Sequence, residues 1–289
     1  MRFAIIGVGG YIAKRHLNAI KILDGTLVAA CDLHDSVGIL DSYFPNVPFF
    51  TSPPKFFEYI KNDVSYLAVC TPNHLHIPHT LAGLFAGANI ICEKPLGLDA
   101  ASARSVPIVA QTFNRKAYAI LQLRHHPQVG ALKTQLNPDV NYNVHIEYHT
   151  YRGPWYYASW KGDSARSGGL ACNIGSHLFD LVTWLFGPCK WVEVTTSTPS
   201  CIQGQAETQN ANVSWNLNLC NPDVVRTMRV TSDTLDTIVD LADQFSDLHI
   251  PTYRNILEGS GVEFKDVIDG IEMVDMVNTA IHRIWNSIY

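Results

Sequence analysis

Two periodicities divide the chain. Up to about residue 121, short apolar runs rich in β-branched residues alternate with stretches in which apolar side chains recur at helical spacing. Phe3–Ile6, Leu27–Cys31, Tyr66–Cys70, Ala88–Cys92 and Ala117–Leu121 read as short buried strands. Between the first two, Ile12, His16, Ala19, Ile20 and Leu23 mark a helix. Further helices run from after Asn73 to about Leu84 and from Asp99 to Phe113. Such alternation implies α/β architecture with a parallel, doubly wound sheet. Farther along, the period becomes two. Val144, Ile146 and Tyr148 alternate with Asn143, His145, Glu147 and His149, and Val213 to Leu219 alternates as strictly, which marks half-buried strands.

The 289 residues suit one large or two ordinary domains, and 47% hydrophobic with 16% charged residues describes an ordinary soluble protein. A net charge of −5, without basic runs interleaved with aromatics, argues against nucleic-acid binding. No stretch approaches the about 18 apolar residues of a membrane span. Met1 to Gly7 is too short an apolar stretch for a signal peptide. Seven cysteines without metal-type spacing fit reduced thiols, and we expect a cytoplasmic protein.

Candidate chemistry gathers at strand ends. Gly7-Val8-Gly9-Gly10-Tyr11-Ile12 joins the first strand to the first helix, the context a dinucleotide fingerprint requires, with Ile12 replacing the third glycine. Asp32 closes the second strand twenty positions after Ile12, where an acid can hydrogen-bond a ribose 2′-hydroxyl. The neighbouring Leu33, His34, Asp35 and Ser36 include no arginine for a 2′-phosphate, so the expected cofactor is NAD. Thr71-Pro72-Asn73 and Glu93-Lys94-Pro95 close adjacent strands on the same edge, where open α/β sheets bind ligands. Lys94 follows a buried run and precedes a proline, an unusual place for a solvated charge. His74, His76 and His79 are dense but diverge on a helix, with no local cysteine or carboxylate, and we expect no metal.

These motifs resemble the glucose-fructose oxidoreductase/inositol dehydrogenase (GFO/IDH/MocA) family. The resembling segments are Gly7-Val8-Gly9-Gly10 with His16, Cys70-Thr71-Pro72-Asn73, His76-Ile77-Pro78-His79, Glu93-Lys94-Pro95-Leu96 and Gln122-Leu123-Arg124-His125-His126-Pro127. Arg152 to Tyr156, Ser159 to Asp163 and Ser167 to His177 are more specifically similar to a branch of UDP-N-acetyl-2-amino-2-deoxyglucuronate 3-dehydrogenases of bacterial surface-polysaccharide biosynthesis. The likeness is good to about residue 187, weak from about 188 to 245, and visible again at Asp247-Leu248-His249.

The resemblance implies a Rossmann NAD-binding domain over residues 1–122. A substrate-binding and oligomerisation domain on an open, mainly antiparallel sheet would cover 123–289, in a homodimer or homotetramer. It implies NAD contacts from Gly7, Gly9, Gly10, Tyr11, Ile12, Asp32, His34, Thr71, Pro72, Asn73, His76, Glu93, Lys94 and Gln122. It also implies that Lys94 and His177 are catalytic, although most members carry aspartate where this chain has Asn173. The expected reaction is oxidation of a sugar secondary hydroxyl, C3 of UDP-N-acetylglucosaminuronic acid above all. A free sugar or cyclitol, or a non-catalytic dinucleotide-binding regulator, is the alternative. Residues 173–186 read as one helix stopped at Gly187, with Asn173, His177 and Asp180 on a common stripe. His177, with a reference pKa near 6.5, suits a base, and Lys94 suits a donor to the developing oxyanion; the reverse assignment stays open. Arg124, His125, Arg152, Lys161 and Arg166 are cations for a carboxylate and diphosphate, and Trp155, Tyr156 and Trp160 are stacking surfaces. Asn173, His177 and Lys94 complete the expected substrate contacts. Residues 151–169 are expected to form a loop that closes over substrate.

Overall fold

The structure is a computed structural model and describes residues 1–35, 37–242 and 248–288. Among these residues, twelve strands form two six-stranded sheets in two compact units. Strands β1 (Arg2–Ile6), β2 (Thr26–Cys31), β3 (Phe49–Phe50), β4 (Tyr66–Val69), β5 (Asn89–Cys92) and β6 (Ala117–Ala119) belong to the first unit. The second contains β7 (Tyr142–His149), β8 (Cys189–Thr198), β9 (Cys201–Thr208), β10 (Ala211–Asn218), β11 (Val225–Thr231) and β12 (Asp236–Asp240). Helices of nine or more residues are α1 (Ala13–Ile22), α2 (His76–Phe85), α3 (Ala100–Thr112), α4 (Pro127–Gln135), α5 (Ser176–Phe186), α6 (His249–Leu257) and α7 (Ile268–Ile288).

In the first unit the strands are all parallel, in the order β3-β2-β1-β4-β5-β6. The order reverses between β1 and β4, the switch point where such sheets bind ligands beyond their strand carboxyl ends. Every residue of β4 and all but the first of β5 are buried, as runs covered on both faces require. The core joins Phe3, Ile5, Leu17, Ile20, Ala68 and Ile91 to Tyr253 and Ile256 of α6. Residues 248–266 thus pack with the first unit, which corrects the expectation that everything after 122 belongs to the second. An antiparallel bridge from Tyr118 to Glu263 and the Ala119 N–H on the Val262 carbonyl fasten that return segment to β6.

The second sheet runs β12-β11-β7-β10-β9-β8 and is antiparallel except where β10 lies parallel to β7. The period-two pattern sorts as expected: Val144, Ile146, Val213, Trp215 and Leu217 are buried, while Asn143, His145 and Asn212 are exposed. The buried face shares a core with Phe179, Leu181 and Val182 of α5 and Met273, Val274 and Val277 of α7. Gly187, at φ 82°, ends α5 where the sequence places its stop. The helix begins later than expected, because Ala171–Gly175 form a single π-helical turn ahead of it. Such turns re-aim side chains within a helix and recur at functional sites.

Candidate active site

In the first unit the glycine turn lies against the end of β4. Gly7 has φ +87°, and a Cβ there would fall 2.6 Å from the Cys70 backbone, so only glycine fits. The Gly9 N–H donates to Asp32 Oδ2 at 2.8 Å, and the His34 N–H donates to Oδ1 at 3.0 Å. A Cβ on Gly9 would sit 3.1 Å from Asp32 Oδ2, filling the space the carboxylate borders. Each Asp32 oxygen keeps a second lone pair for ribose hydroxyls, and the turn leads into the N-terminus of α1. This cradle fits a dinucleotide. Tyr11 and His34 are both exposed, and the His34 backbone N–H is held by Asp32.

Thr71-Pro72-Asn73 and Glu93-Lys94-Pro95 do follow adjacent parallel strands. His76 ties them together: Nε2 lies 2.6 Å from the Thr71 carbonyl and Nδ1 2.6 Å from the Pro95 carbonyl. A neutral ring donates to one carbonyl at a time; only the imidazolium donates to both. Burial lowers the His76 pKa, although the two carbonyls pull it up. His76 therefore holds the two motifs at the strand ends, a correction of its expected direct cofactor contact. His79 meets the Thr71 hydroxyl at 3.1 Å, its pKa lowered to about 4 by burial and then by His76 and His74.

Glu93 is also placed differently from expectation. Its side chain is buried and turned away to His16 and His249, whose Nε2 atoms both lie 2.9 Å from Oε1. Burial alone would raise the Glu93 pKa, but these hydrogen bonds hold the carboxyl well below its usual range. The sequence carried a signal: His16 falls among the apolar positions of α1, and a histidine there needs a buried partner. His249 and Tyr253, four apart on α6, were missed because their partners are far away in sequence. Lys94 itself is half-buried at the end of β5.

In the second unit, α5 and the π-turn present His177 and Asn173, both buried. Asn173 Nδ2 donates to the Tyr156 hydroxyl at 2.7 Å. Tyr156 is buried as well, so it braces Asn173 rather than offering a stacking face. Arg124 is a further correction. Its Nε and Nη2 donate to the two Asp180 oxygens at 2.9 and 2.6 Å, with both side chains almost fully buried, and the guanidinium stacks over Trp184. It fixes α5 one turn after His177 instead of standing ready for an anionic ligand. Burial pushes the Asp180 carboxyl up, and Arg124 opposes that.

Residues 151–169 contain two short helices, Pro154–Ala158 and Ser164–Ser167. They leave Trp155 exposed and Trp160 half-buried, with the Lys161 ammonium 5.3 and 5.7 Å from the two ring centres. Burial, then the charge of Arg152, lowers the Lys161 pKa. Arg152 and His125 are half-buried, Arg166 is exposed, and Gln122 is buried.

Residues 1–119 match the family GFO_IDH_MocA, an oxidoreductase family with an NAD-binding Rossmann fold. Residues 137–221 match its C-terminal alpha/beta domain. A crystal structure of the WlbA (WbpB) dehydrogenase from Thermus thermophilus with NAD and alpha-ketoglutarate is 39% identical. The match covers 96% of this chain and 95% of that one at a TM-score of 0.92. The chain belongs to the GFO/IDH/MocA oxidoreductases. The same Thermus dehydrogenase, in complex with NAD and UDP-GlcNAcA, matches at 38% identity over 96% and 94% of the two chains, TM-score 0.91. D-glucoside 3-dehydrogenase from Escherichia coli (strain K12) is 29% identical over 74% of this chain and 69% of its own length. The protein is an NAD-dependent oxidoreductase of a sugar dehydrogenase family, and its first unit is the NAD-binding domain. None of its described helices is long and apolar enough to cross a membrane.

Proposed function

We propose that the protein oxidises C3 of UDP-N-acetylglucosaminuronic acid, in the cytoplasm, within bacterial surface-polysaccharide (lipopolysaccharide) synthesis. The observation that carries this reading is the near full-length similarity to the Thermus WlbA dehydrogenase solved with NAD and UDP-GlcNAcA. The glycine turn and Asp32 would hold the dinucleotide, which supplies a hydride acceptor when bound. His177 takes the hydroxyl proton. Lys94, as an ammonium, donates to the substrate oxygen as negative charge develops there. Arg152, Lys161 and Arg166 are cations for the carboxylate and diphosphate, His125 is a hydrogen-bonding imidazole, and Trp155 and Trp160 are stacking surfaces.

The neutral Asn173–Tyr156 pair supports His177 as a base that starts neutral, because no carboxylate at that position favours the imidazolium. Alpha-ketoglutarate in the Thermus complex supports a 2-oxo acid as the oxidant that returns NADH to NAD. The polar outer face of the second sheet, with Asn143, His145 and Ser214, suits contact with a second copy; a monomer mass in sedimentation at micromolar concentration would contradict that.

The test is NADH absorbance with UDP-GlcNAcA, UDP-GlcNAc, a simple glucoside and myo-inositol, with and without alpha-ketoglutarate. Turnover confined to the uronate supports the proposal. Preference for the glucoside, as the similarity to D-glucoside 3-dehydrogenase would favour, contradicts it. Tight NAD binding without turnover of any sugar would indicate a regulator.

A further inference from the structure

The group least explained by cofactor or sugar binding is the buried cluster around Glu93. Four side chains from three elements of the first unit meet there: His16 on α1, Glu93 after β5, and His249 and Tyr253 on α6. All are essentially buried. Both imidazole Nε2 atoms lie 2.9 Å from the one oxygen Glu93 Oε1. The Tyr253 hydroxyl lies 2.6 Å from the far nitrogen of His16, and the His16 ring stands edge-on to both His249 and Tyr253. The other carboxylate oxygen, Oε2, accepts the backbone N–H of Lys94 at 3.2 Å. One carboxylate therefore joins the helix that follows the glycine turn, the returning helix α6 and the backbone of the reactive lysine.

The protons can be placed from geometry. An ionised carboxylate only accepts, so each imidazole donates through Nε2–H. A neutral His16 then accepts at Nδ1 from the tyrosine hydroxyl, and burial, which lowers the His16 pKa, favours that form. His249 Nδ1 is buried without a hydrogen-bond partner among the described residues, tolerable for a lone pair and costly for an N–H. Two neutral imidazoles around one carboxylate leave a net negative charge in the interior. Stability alone does not call for it, since apolar replacements of buried ionic groups are often neutral or stabilising. Its nearest use is the residue that follows.

We propose that Glu93, held by His16 and His249, is a positioning residue for Lys94. It fixes the lysine backbone through Oε2, so that Lys94 is aimed as an oxygen-binding donor. This rests on the role of Lys94 proposed above. The three ligand-type atoms also lie within 4.8 Å of one another, a spacing a metal ion could use. The 2.9 Å contacts are already satisfied by protons, and the metal is an outcome of the test.

Glu93→Gln keeps the shape, removes the charge and places an amide N–H where an acceptor is needed. We expect kcat to fall about 10- to 100-fold, on the scale of a small misplacement of a reacting group. The KM for the sugar nucleotide and the Kd for NAD should stay within about threefold, as roles beyond these ligands' own contacts dictate. His249→Gln, whose amide N–H can still reach Oε1, should recover most of the kcat that His249→Leu loses. This pair carries the test if Glu93→Gln does not fold. In the protein without NAD, ¹⁵N spectra should show both imidazoles neutral and protonated at Nε2 at neutral pH.

Unchanged kcat in Glu93→Gln, equal losses in the two His249 variants, an imidazolium in the cluster, or one equivalent of zinc in the isolated protein would each overturn the inference. If the wild type turns over sugar and Glu93→Gln does so equally well, the proposed function survives and only this inference fails. If the wild type turns over no sugar, the proposed function fails, and the ¹⁵N spectra still test the cluster.

Discussion

Glu93 and Asp180 are both buried carboxylates near a proposed catalytic residue, one in each unit, and their surroundings treat charge in opposite ways. Asp180 has a full cation on it: Arg124 neutralises it through two hydrogen bonds, and Asn173, four residues before His177, is an amide. Glu93 has hydrogen bonds but no cation of its own in the cluster, and it remains an anion next to Lys94. In the proposed mechanism, the neutralised carboxylate lies one turn along α5 from the base His177, and the ionised one holds the backbone of the lysine that donates to the substrate oxygen.

The sharpest break of that comparison is removal of the two groups themselves. Lys94→Ala and His177→Ala should each lower kcat by about 10²- to 10⁴-fold, with NAD affinity measured by fluorescence titration little changed. A loss expressed in KM alone would mean that the residue binds substrate uniformly instead. Next, Arg124→Ala should strand Asp180 and cost about 3–5 kcal/mol of stability, read from urea unfolding. Arg124→Met combined with Asp180→Leu should regain most of it. If Arg124→Ala instead leaves stability unchanged and raises the KM for the sugar nucleotide, the ion pair is not what holds α5.

A smaller effect is expected at Asp32. Asp32→Ser removes the charge that excludes a 2′-phosphate and should shift the NAD-to-NADP preference by about tenfold toward NADP, measured as the ratio of kcat/KM. The smallest concerns pH. The His79 pKa is lowered to about 4, and those of His16, His76 and His125 are lowered too, with burial the first cause in each case. In the unfolded chain these rings take up protons near pH 6.5, before the native protein does. The unfolded state thus binds more protons over the interval, and stability falls as pH drops from about 6.5 toward 4. His79→Gln should flatten that slope by up to about one proton, measured by chemical denaturation across pH.

Much of the architecture was legible because it rests on local periodicity. The buried runs ending at Cys31, Val69 and Cys92 and the strict alternation of β7 and β10 announced both sheets, and the glycine turn with Asp32 announced the nucleotide end. The two-residue strand β3 carries too few positions to show a pattern. What stayed hidden depends on contacts between distant positions. Nothing local says that 248–266 return to the first unit, that Arg124 is taken by Asp180, or that His16, Glu93 and His249 converge. The π-turn at Ala171–Gly175 was equally hidden, since one extra residue in a turn leaves the apolar pattern of α5 intact. Lys94 and His177 stood out for the opposite reason, as polar residues in places that local patterning cannot explain.

The most direct test of the account is the pH dependence of kcat/KM for sugar oxidation in wild type, Lys94→Arg and His177→Ala. The account predicts that activity rises with pH through the imidazole range in the wild type. The rise should persist in Lys94→Arg, which keeps a cation that cannot act as a base, and disappear in His177→Ala. A rise that survives in His177→Ala and vanishes in Lys94→Arg would contradict it, and would make the lysine the base.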